Sequence, residues 1–182
     1  AGQSVLAHGA AGAVGSMVTQ LAREAGAYVI GNSSRDEKLA RASELGMDAG
    51  INYTKQDVVE EVMHLTDDRG ADLVYEHVGG ELFQKGLDSL SKDGRMVICG
   101  AHSGEVVPFD IIPFFRAQKS VIGSFVYTRG EVETCLELAR RGRITPIVHT
   151  TLPLERAKEA MDVMESRDFF GKIVVAGKER SA

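Results

Sequence analysis

The sequence is poor in the features that mark specialised chains. It has only two cysteines, Cys99 and Cys135, with 35 residues between them. Such a pair is neither a disulfide framework nor a zinc spacing, and it fits a reducing cytoplasm. There is no tryptophan, and four prolines are too few for a proline-rich linker. No uninterrupted apolar run approaches the ~20 residues of a membrane span. Ala1-Gly2-Gln3 places no basic stretch ahead of an apolar one and is not read as a signal peptide. Basic blocks are absent as well. The formal net charge of −5 argues against a nucleic-acid or anionic-membrane partner.

What is present is an ordinary globular composition with extra glycine. A chain of 182 residues, 43% of them hydrophobic, allows one domain or one domain with an appendage. It can bury about 70% of its unfolded surface without a metal or disulfide staple. The 20 glycines follow apolar β-branched runs or stand at helix ends, and none of them forms low-complexity sequence. There is no initiator Met, and the first apolar run begins almost at once. A piece of a longer chain, or one domain expressed alone, is therefore expected.

The pattern alternates. Ser4 to Ala7 is a short apolar run that stops in a glycine cluster. Val14 to Ala25 has helical spacing, with Val14, Val18, Leu21, Ala22 and Ala25 as the inward face. Strands are expected at Tyr28 to Ile30, around Ile51, at Ala71 to Tyr75 and at Arg95 to Cys99. Helices are expected at Asp36 to Leu45, from Asp57 to Leu65 and around Leu82 to Leu90. Near-continuous apolar strands are buried on both faces, as in a parallel sheet covered by helices. The expected fold class is α/β, a Rossmann-type doubly wound parallel sheet with helices on both faces. Further on, a short helix is expected at Asp110 to Ala117 despite Pro113, and a strand at Val121 to Phe125. A helix is expected at Glu131 to Arg140, with Val132, Leu136 and Ala139 inward. Ile147 to Thr150, a helix from Leu154 to Met164, and Ile173 to Ala176 close the chain.

The segment His8-Gly9-Ala10-Ala11-Gly12-Ala13-Val14-Gly15 follows the first strand and opens the first helix. Gly12 allows a diphosphate to come close, and Gly15 allows the helix to pack tightly on the strand. The free N–H groups and the positive end of the helix dipole would face the phosphates. The triplet alone also fits a tight structural turn, but the strand–loop–helix context favours dinucleotide binding. The position that selects NAD or NADP lies ~20 residues on, at the tip of the second strand. There the chain reads Gly31-Asn32-Ser33-Ser34-Arg35-Asp36-Glu37-Lys38, with no acid at the tip for a ribose 2′-hydroxyl. Ser33 and Ser34 as donors, with Arg35 and Lys38 as cations, suit a 2′-phosphate, so NADP is the expected cofactor. A solvated polar loop is the competing reading, and it accounts for Asp36 and Glu37 as first-turn residues.

These segments resemble the medium-chain dehydrogenase/reductase superfamily, on its quinone oxidoreductase-like and alcohol dehydrogenase-like side. The glycine loop agrees, and further motifs agree in order: Ala49 to Tyr53, Asp72 to Gly80, Gly94 to Gly100, Ser120 to Ser124 and Phe170 to Val175. The resemblance covers nearly the whole chain. It implies that Gly12, Ala13, Val14 and Gly15 hold the diphosphate, and that Lys38 and Tyr53 meet the 2′-phosphate and adenine ribose. It implies that His77, where many relatives carry Asn or Thr, lies beside the adenosine or ribose. Cys99, Gly100 and Ala101, in a loop running on to Ser103, would skirt the nicotinamide ribose. Phe125, Val126 and Tyr127 would offer backbone groups to the carboxamide. It also implies a catalytic domain not found in this chain. Residues 1–145 would then be the dinucleotide-binding domain, and residues 146–182 a segment returning to that absent domain.

Other chemistries fit poorly. None of His8, His64, His77, His102 and His149 pairs with another at metal spacing, and no metal site is expected. No Gly-x-Ser-x-Gly elbow, P-loop or Tyr-x-x-x-Lys pair occurs. His8 is expected to pack at the strand end and His64 to lie on a helix surface. Cys135 and Cys99 are expected to be buried. The cluster Phe109-Ile111-Ile112-Pro113-Phe114-Phe115 fits either a helix over the cleft or ordinary core. The expected function is the NADP(H)-binding part of an oxidoreductase moving a hydride between nicotinamide and a small carbonyl, quinone or enone. The alternatives are a non-catalytic nucleotide-binding module and an enoyl-reductase module of a larger synthase. A homodimer through the strand at residues 120–124 is expected, because an uncharged edge strand invites a partner.

Overall fold

The computed structural model describes residues 1–177. Strands β1 (Ser4–Ala7), β2 (Tyr28–Ser33), β3 (Ala49–Asn52), β4 (Ala71–Glu76), β5 (Leu90–Ile98) and β6 (Ser120–Gly123) form one sheet. Its order is β3-β2-β1-β4-β5-β6, and every pair is parallel. Helices α1 (Gly15–Glu24), α2 (Asp36–Glu44), α3 (Val58–Leu65), α4 (Gly80–Asp88) and α5 (Ile111–Arg116) make the crossovers. The expected doubly wound fold is therefore present.

Burial on both faces is visible within single strands. Neighbouring Val29 and Ile30 in β2 are both fully buried but join different core clusters. Ile30 packs with Leu6, Val58, Val74, Phe83 and Met96, on the side of α3 and α4. Val29 packs with Leu39, Ala42, Met47 and Phe170, on the side of α2. Strand side chains alternate between faces, so an unbroken apolar run serves two cores at once. Local signals set the helix starts. Asp57 caps α3 by accepting from Val59 and Glu60 N–H, and Asp110 caps α5 by accepting from Ile112 N–H. Pro113 lies in the first turn of α5, where no intrahelical donor is needed.

Several expectations are corrected. Helix α1 buries Gly15, Ser16, Thr19 and Gln20 rather than the apolar positions, and Val14 is exposed. Close approach at the start of the helix admits only small side chains. Further along, Gln20 grips the backbone of Thr145, donating to its carbonyl at 3.0 Å and accepting its N–H at 2.7 Å. Leu90 begins β5 instead of ending a helix, pairing with Ala71 ahead of a register shift. Strand β6 stops at Gly123, short of Phe125.

Helix α6 (Arg129–Arg140), opened by a capping box of Thr128 and Glu131, buries no residue. Val132, Leu136 and Ala139 instead line an open apolar groove of about 290 Å³ with Met17 and Tyr127. Cys135 lies in the same groove and is exposed, not packed in a core.

The chain then forms β7 (Val148–Pro153), a 3-10 turn at Leu154–Arg156, α7 (Ala157–Ser166) and β8 (Lys172–Ala176). The single helix expected from Leu154 is thus a short turn followed by α7. Strands β7 and β8 pair in parallel as a separate two-stranded sheet. Gly171 N–H donates to the Ala11 carbonyl at 3.0 Å, and Phe170 is buried in the α2-side core.

His8 is fully buried, as expected of a packed strand end, and burial lowers its pKa to about 4. Above pH ~6.5 the ring is neutral in both folded and unfolded chains. As pH falls from there towards 4, the unfolded chain binds a proton that the folded chain refuses, and stability drops. By about pH 5 this group alone should cost roughly 2 kcal/mol. A His8→Asn variant should be less stable at neutral pH but lose about 2 kcal/mol less than the parent between pH 7.5 and 5, by urea unfolding. Equal losses in both proteins would show that His8 is not the titrating group.

Candidate functional site

The order reversal between β1 and β4 opens a crevice at the C-terminal ends of the strands, where doubly wound sheets bind ligands. The loop after β1 forms its floor. Gly9 adopts a left-handed backbone (φ 62°) and donates its N–H to Asn32 Oδ1 at 2.9 Å. Ala10 N–H donates to the Asn32 carbonyl at 3.0 Å. Because its oxygen is taken by Gly9, the Asn32 amide nitrogen donates to His8 Nδ1 at 2.7 Å. That bond places the ring proton on Nε2, an assignment made from the network. Gly15 is packed so closely that a Cβ there would lie 2.2 Å from the Gly9 carbonyl oxygen. Ala13 N–H faces the Gly171 carbonyl across an isolated parallel bridge, and among the described residues the N–H groups of Val14 and Gly15 have no protein acceptor. They form the donor-rich, positive end of α1, which suits a diphosphate.

The second wall comes from β4 and β5. Glu76 ends β4 fully buried, and its Oε1 accepts the N–H groups of Val78 and Gly79. Burial raises the Glu76 pKa, while those N–H donors oppose the rise. Ser103 N–H donates to the Val78 carbonyl at 2.6 Å, which ties the loops after β4 and β5 together. The His77 ring covers the glycine loop, with Cε1 3.5 Å from where a Gly9 Cβ would stand. It meets the His102 ring edge-on at 5.9 Å, and burial followed by His102 lowers its pKa. Gly100 lies beneath His77, for a Cβ there would meet the His77 carbonyl at 2.9 Å. Cys99 is exposed at the end of β5, contrary to the buried expectation, with its sulfur 2.7 Å from the Tyr75 hydroxyl. It lies one residue past β5, where the sheet no longer covers it.

The tip of β2 divides into two groups. Ser33 is buried and its carbonyl accepts Tyr53 N–H at 3.2 Å, with the Tyr53 side chain exposed and Ser34 half-buried. Asp36, the first acid after the strand in sequence, accepts from Asn52 Nδ2 at 2.5 Å and from Lys55. Those two bonds lower its pKa. Arg35 and Lys38 turn towards the loop after α7. Arg35 pairs with Asp168 at 2.7 Å, and Lys38 donates to the Arg167 carbonyl at 2.6 Å. Burial, then the neighbouring Arg35, lowers the Lys38 pKa.

The glycine loop, His77 and Gly100 thus come together, and Ser33 joins Tyr53. The side chains of Phe125, Val126 and Tyr127 project into solvent past β6, and Phe125 is 91% exposed. Sequence reasoning missed Asn32, Glu76 and Asp168. A polar residue inside an apolar strand run was an available signal for the first two. Nothing local marks Asp168. Among the described residues, no three His, Cys, Asp or Glu side chains gather as a metal site.

Known proteins share this architecture. The family model described as zinc-binding dehydrogenase matches residues 13–141. A 2-haloacrylate reductase from Burkholderia sp is 33% identical over 184 residues, covering 96% of this chain and 55% of that protein. A quinone oxidoreductase-like protein 2 homolog from Nematostella vectensis is 32% identical over 191 residues, covering 98% of this chain and 52% of that protein. The crystal structure of an NAD-dependent alcohol dehydrogenase superposes with a TM-score of 0.90 at 35% identity, covering 96% of this chain and 51% of that one. The chain spans about half the length of the relatives it matches.

Gly15→Ala should force α1 away from the Gly9 carbonyl. A loss of about 1–3 kcal/mol in stability and a clear loss of dinucleotide affinity are expected. Gly130→Ala, in a helix with open space around the position, should instead be neutral or stabilising by up to about 1 kcal/mol. Urea unfolding and fluorescence titration of both variants check the contrast.

Proposed function

The chain belongs to the medium-chain dehydrogenase/reductase superfamily, and from that premise we propose that it is the NADP(H)-binding part of an oxidoreductase acting on a small carbonyl, quinone or enone. The relatives named above are described as a reductase, a quinone oxidoreductase-like protein and an alcohol dehydrogenase, which supports the reading. When bound, the nicotinamide supplies or accepts the hydride, and the protein's task is to hold and orient it. In this reading the first turn of α1 receives the diphosphate. His77 lies against the adenosine or ribose, and Cys99 to Ala101 border the nicotinamide ribose. Backbone groups of Phe125, Val126 and Tyr127 receive the carboxamide.

The observation that carries the choice of NADP is the commitment of Asp36. An acid free at this strand tip would accept a ribose 2′-hydroxyl and repel a 2′-phosphate. Here the first carboxylate past the tip in sequence is held by Asn52 and Lys55, while Ser33, Ser34, Arg35 and Lys38 stand in or just after the tip. Lys38 has a neutral carbonyl as its hydrogen-bond partner, and burial already disfavours its charge, so a 2′-phosphate would be welcome there.

Residues 146–182 fit a return to a substrate-binding domain. A two-stranded sheet is marginal alone, and this unit leaves Leu154, Met161 and Met164 exposed. A homodimer through β6 fits the same surface logic. Among the described residues strand β6 pairs only with β5, and Ile122 on it is exposed.

Two experiments test this reading. The chain should bind NADPH more tightly than NADH. Arg35→Ala with Lys38→Ala should weaken NADPH by about tenfold, roughly 1.4 kcal/mol, and NADH by less than about twofold. Equal affinity for both cofactors in the unmutated chain would overturn the NADP assignment. Sedimentation should show a dimer at micromolar concentration and a monomer for Ile122→Lys, because charge blunts an open edge. A monomeric parent would remove the dimer from the proposal.

A further inference from the structure

The two cations assigned to the 2′-phosphate are already engaged from within the chain. Arg35 precedes α2, and Lys38 lies in its first turn. Both reach the same short loop between α7 and β8. Arg35 Nη1 meets Asp168 Oδ1 at 2.7 Å, Lys38 Nζ donates to the Arg167 carbonyl at 2.6 Å, and Nζ lies 5.8 Å from the Phe169 ring centre. A carboxylate on a guanidinium is the chemistry a phosphate would use. We propose that Asp168 is a specificity-determining residue that holds Arg35 in place of the 2′-phosphate, so that NADP must displace it and NAD need not. The inference rests on the NADP reading above.

The loop is built to keep Asp168 there. Phe170 is 2% exposed within the α2-side core, and the Arg41 guanidinium lies 4.4 Å above its ring. Gly171 N–H donates to the Ala11 carbonyl at 3.0 Å, which fixes the other end to the glycine loop. Asp168 N–H donates to Ser166 Oγ at 3.1 Å. The hold on Arg35 is nonetheless weak, since the two side chains are 48% and 69% exposed. Ion pairs that open to water are easily exchanged. A phosphate monoester carries nearly two charges near neutral pH and three acceptor oxygens, so it outcompetes one carboxylate.

Space and charge are also present. Arg35, Lys38, Arg41 and His149 border a groove of about 200 Å³ beside Asp168. Lys38 is answered there by a neutral carbonyl, and among the described residues the carboxylates lining the groove are Asp168 and Glu37. Removing the Asp168 charge would free Arg35 and lift a repulsion felt only by a ligand with a phosphate at this position. NADH places a hydroxyl there and should be indifferent.

The test is Asp168→Asn in the full chain, with NADPH and NADH titrated by fluorescence. NADPH should bind about three- to tenfold more tightly than to the parent, and NADH should change less than twofold. The gain should shrink in 0.5 M salt and vanish in an Arg35→Ala background. Circular dichroism verifies the fold of an exposed, nearly isosteric variant. Unchanged or weaker NADPH binding, or an equal gain for NADH, overturns the role of Asp168. If the parent still prefers NADPH and loses that preference on Arg35→Ala with Lys38→Ala, the functional reading survives that failure. If parent and double variant bind both cofactors alike, the functional reading falls and takes the inference with it.

Discussion

Between the ends of β1 and β2 lies a buried amide whose two atoms are both used. Asn32 takes the Gly9 N–H on its oxygen and gives its own N–H to the His8 ring. A buried amide left unpaired would cost about 1–3 kcal/mol, so this arrangement is strongly held. It fixes where the chain leaves β1, and the left-handed turn at Gly9 then sets the direction of the loop. From that direction follows the close seat of Gly15, and from that seat the aim of the first N–H groups of α1 into the crevice. His8 stays neutral because charging it would place an uncompensated cation under α4. The donor-rich start of α1 therefore rests on one buried side chain beneath the crevice.

Much of this architecture was readable from the residues. Apolar runs bounded by glycine marked β1 through β5, and the stretches between them were expected as helices. The ordered motifs of the first hundred residues marked the glycine loop and the loops after β4 and β5, which the fold brings together at one crevice. The failures have a common cause. Periodicity reports which positions are apolar, not what covers them. In α1 the apolar face lost to a small polar one, because close approach at Gly15 and the grip of Gln20 on Thr145 decide which side faces inward. In α6 the apolar stripe was correctly located but wrongly placed in a core. Asp168 was invisible for another reason, since its partner Arg35 lies 133 residues away.

The same chain shows two kinds of surface. Around the crevice, loops are stitched to one another by backbone hydrogen bonds, and charged groups have partners within the described residues. Along β6, α6 and the β7–β8 unit, apolar side chains stand exposed among the described residues. The tied loops and the open apolar surface thus occupy different parts of the fold, the crevice at one end of the sheet and the exposed side chains at its margin and along its tail.

Phe170 has a consequence for synthesis. Its ring completes the core between α2 and the sheet, packing with Ala10, Val29 and Leu39, which are made at least 131 residues earlier. On a ribosome the strands β1 to β6 can pair as they emerge, but one face of the sheet lacks its last apolar residue until the C-terminal turn is released. Contacts so distant along the chain form late, after a long loop has been closed. The nascent domain must therefore carry an unsealed core through most of its own translation, and a ribosome stalled before Phe170 would display that gap to chaperones and proteases.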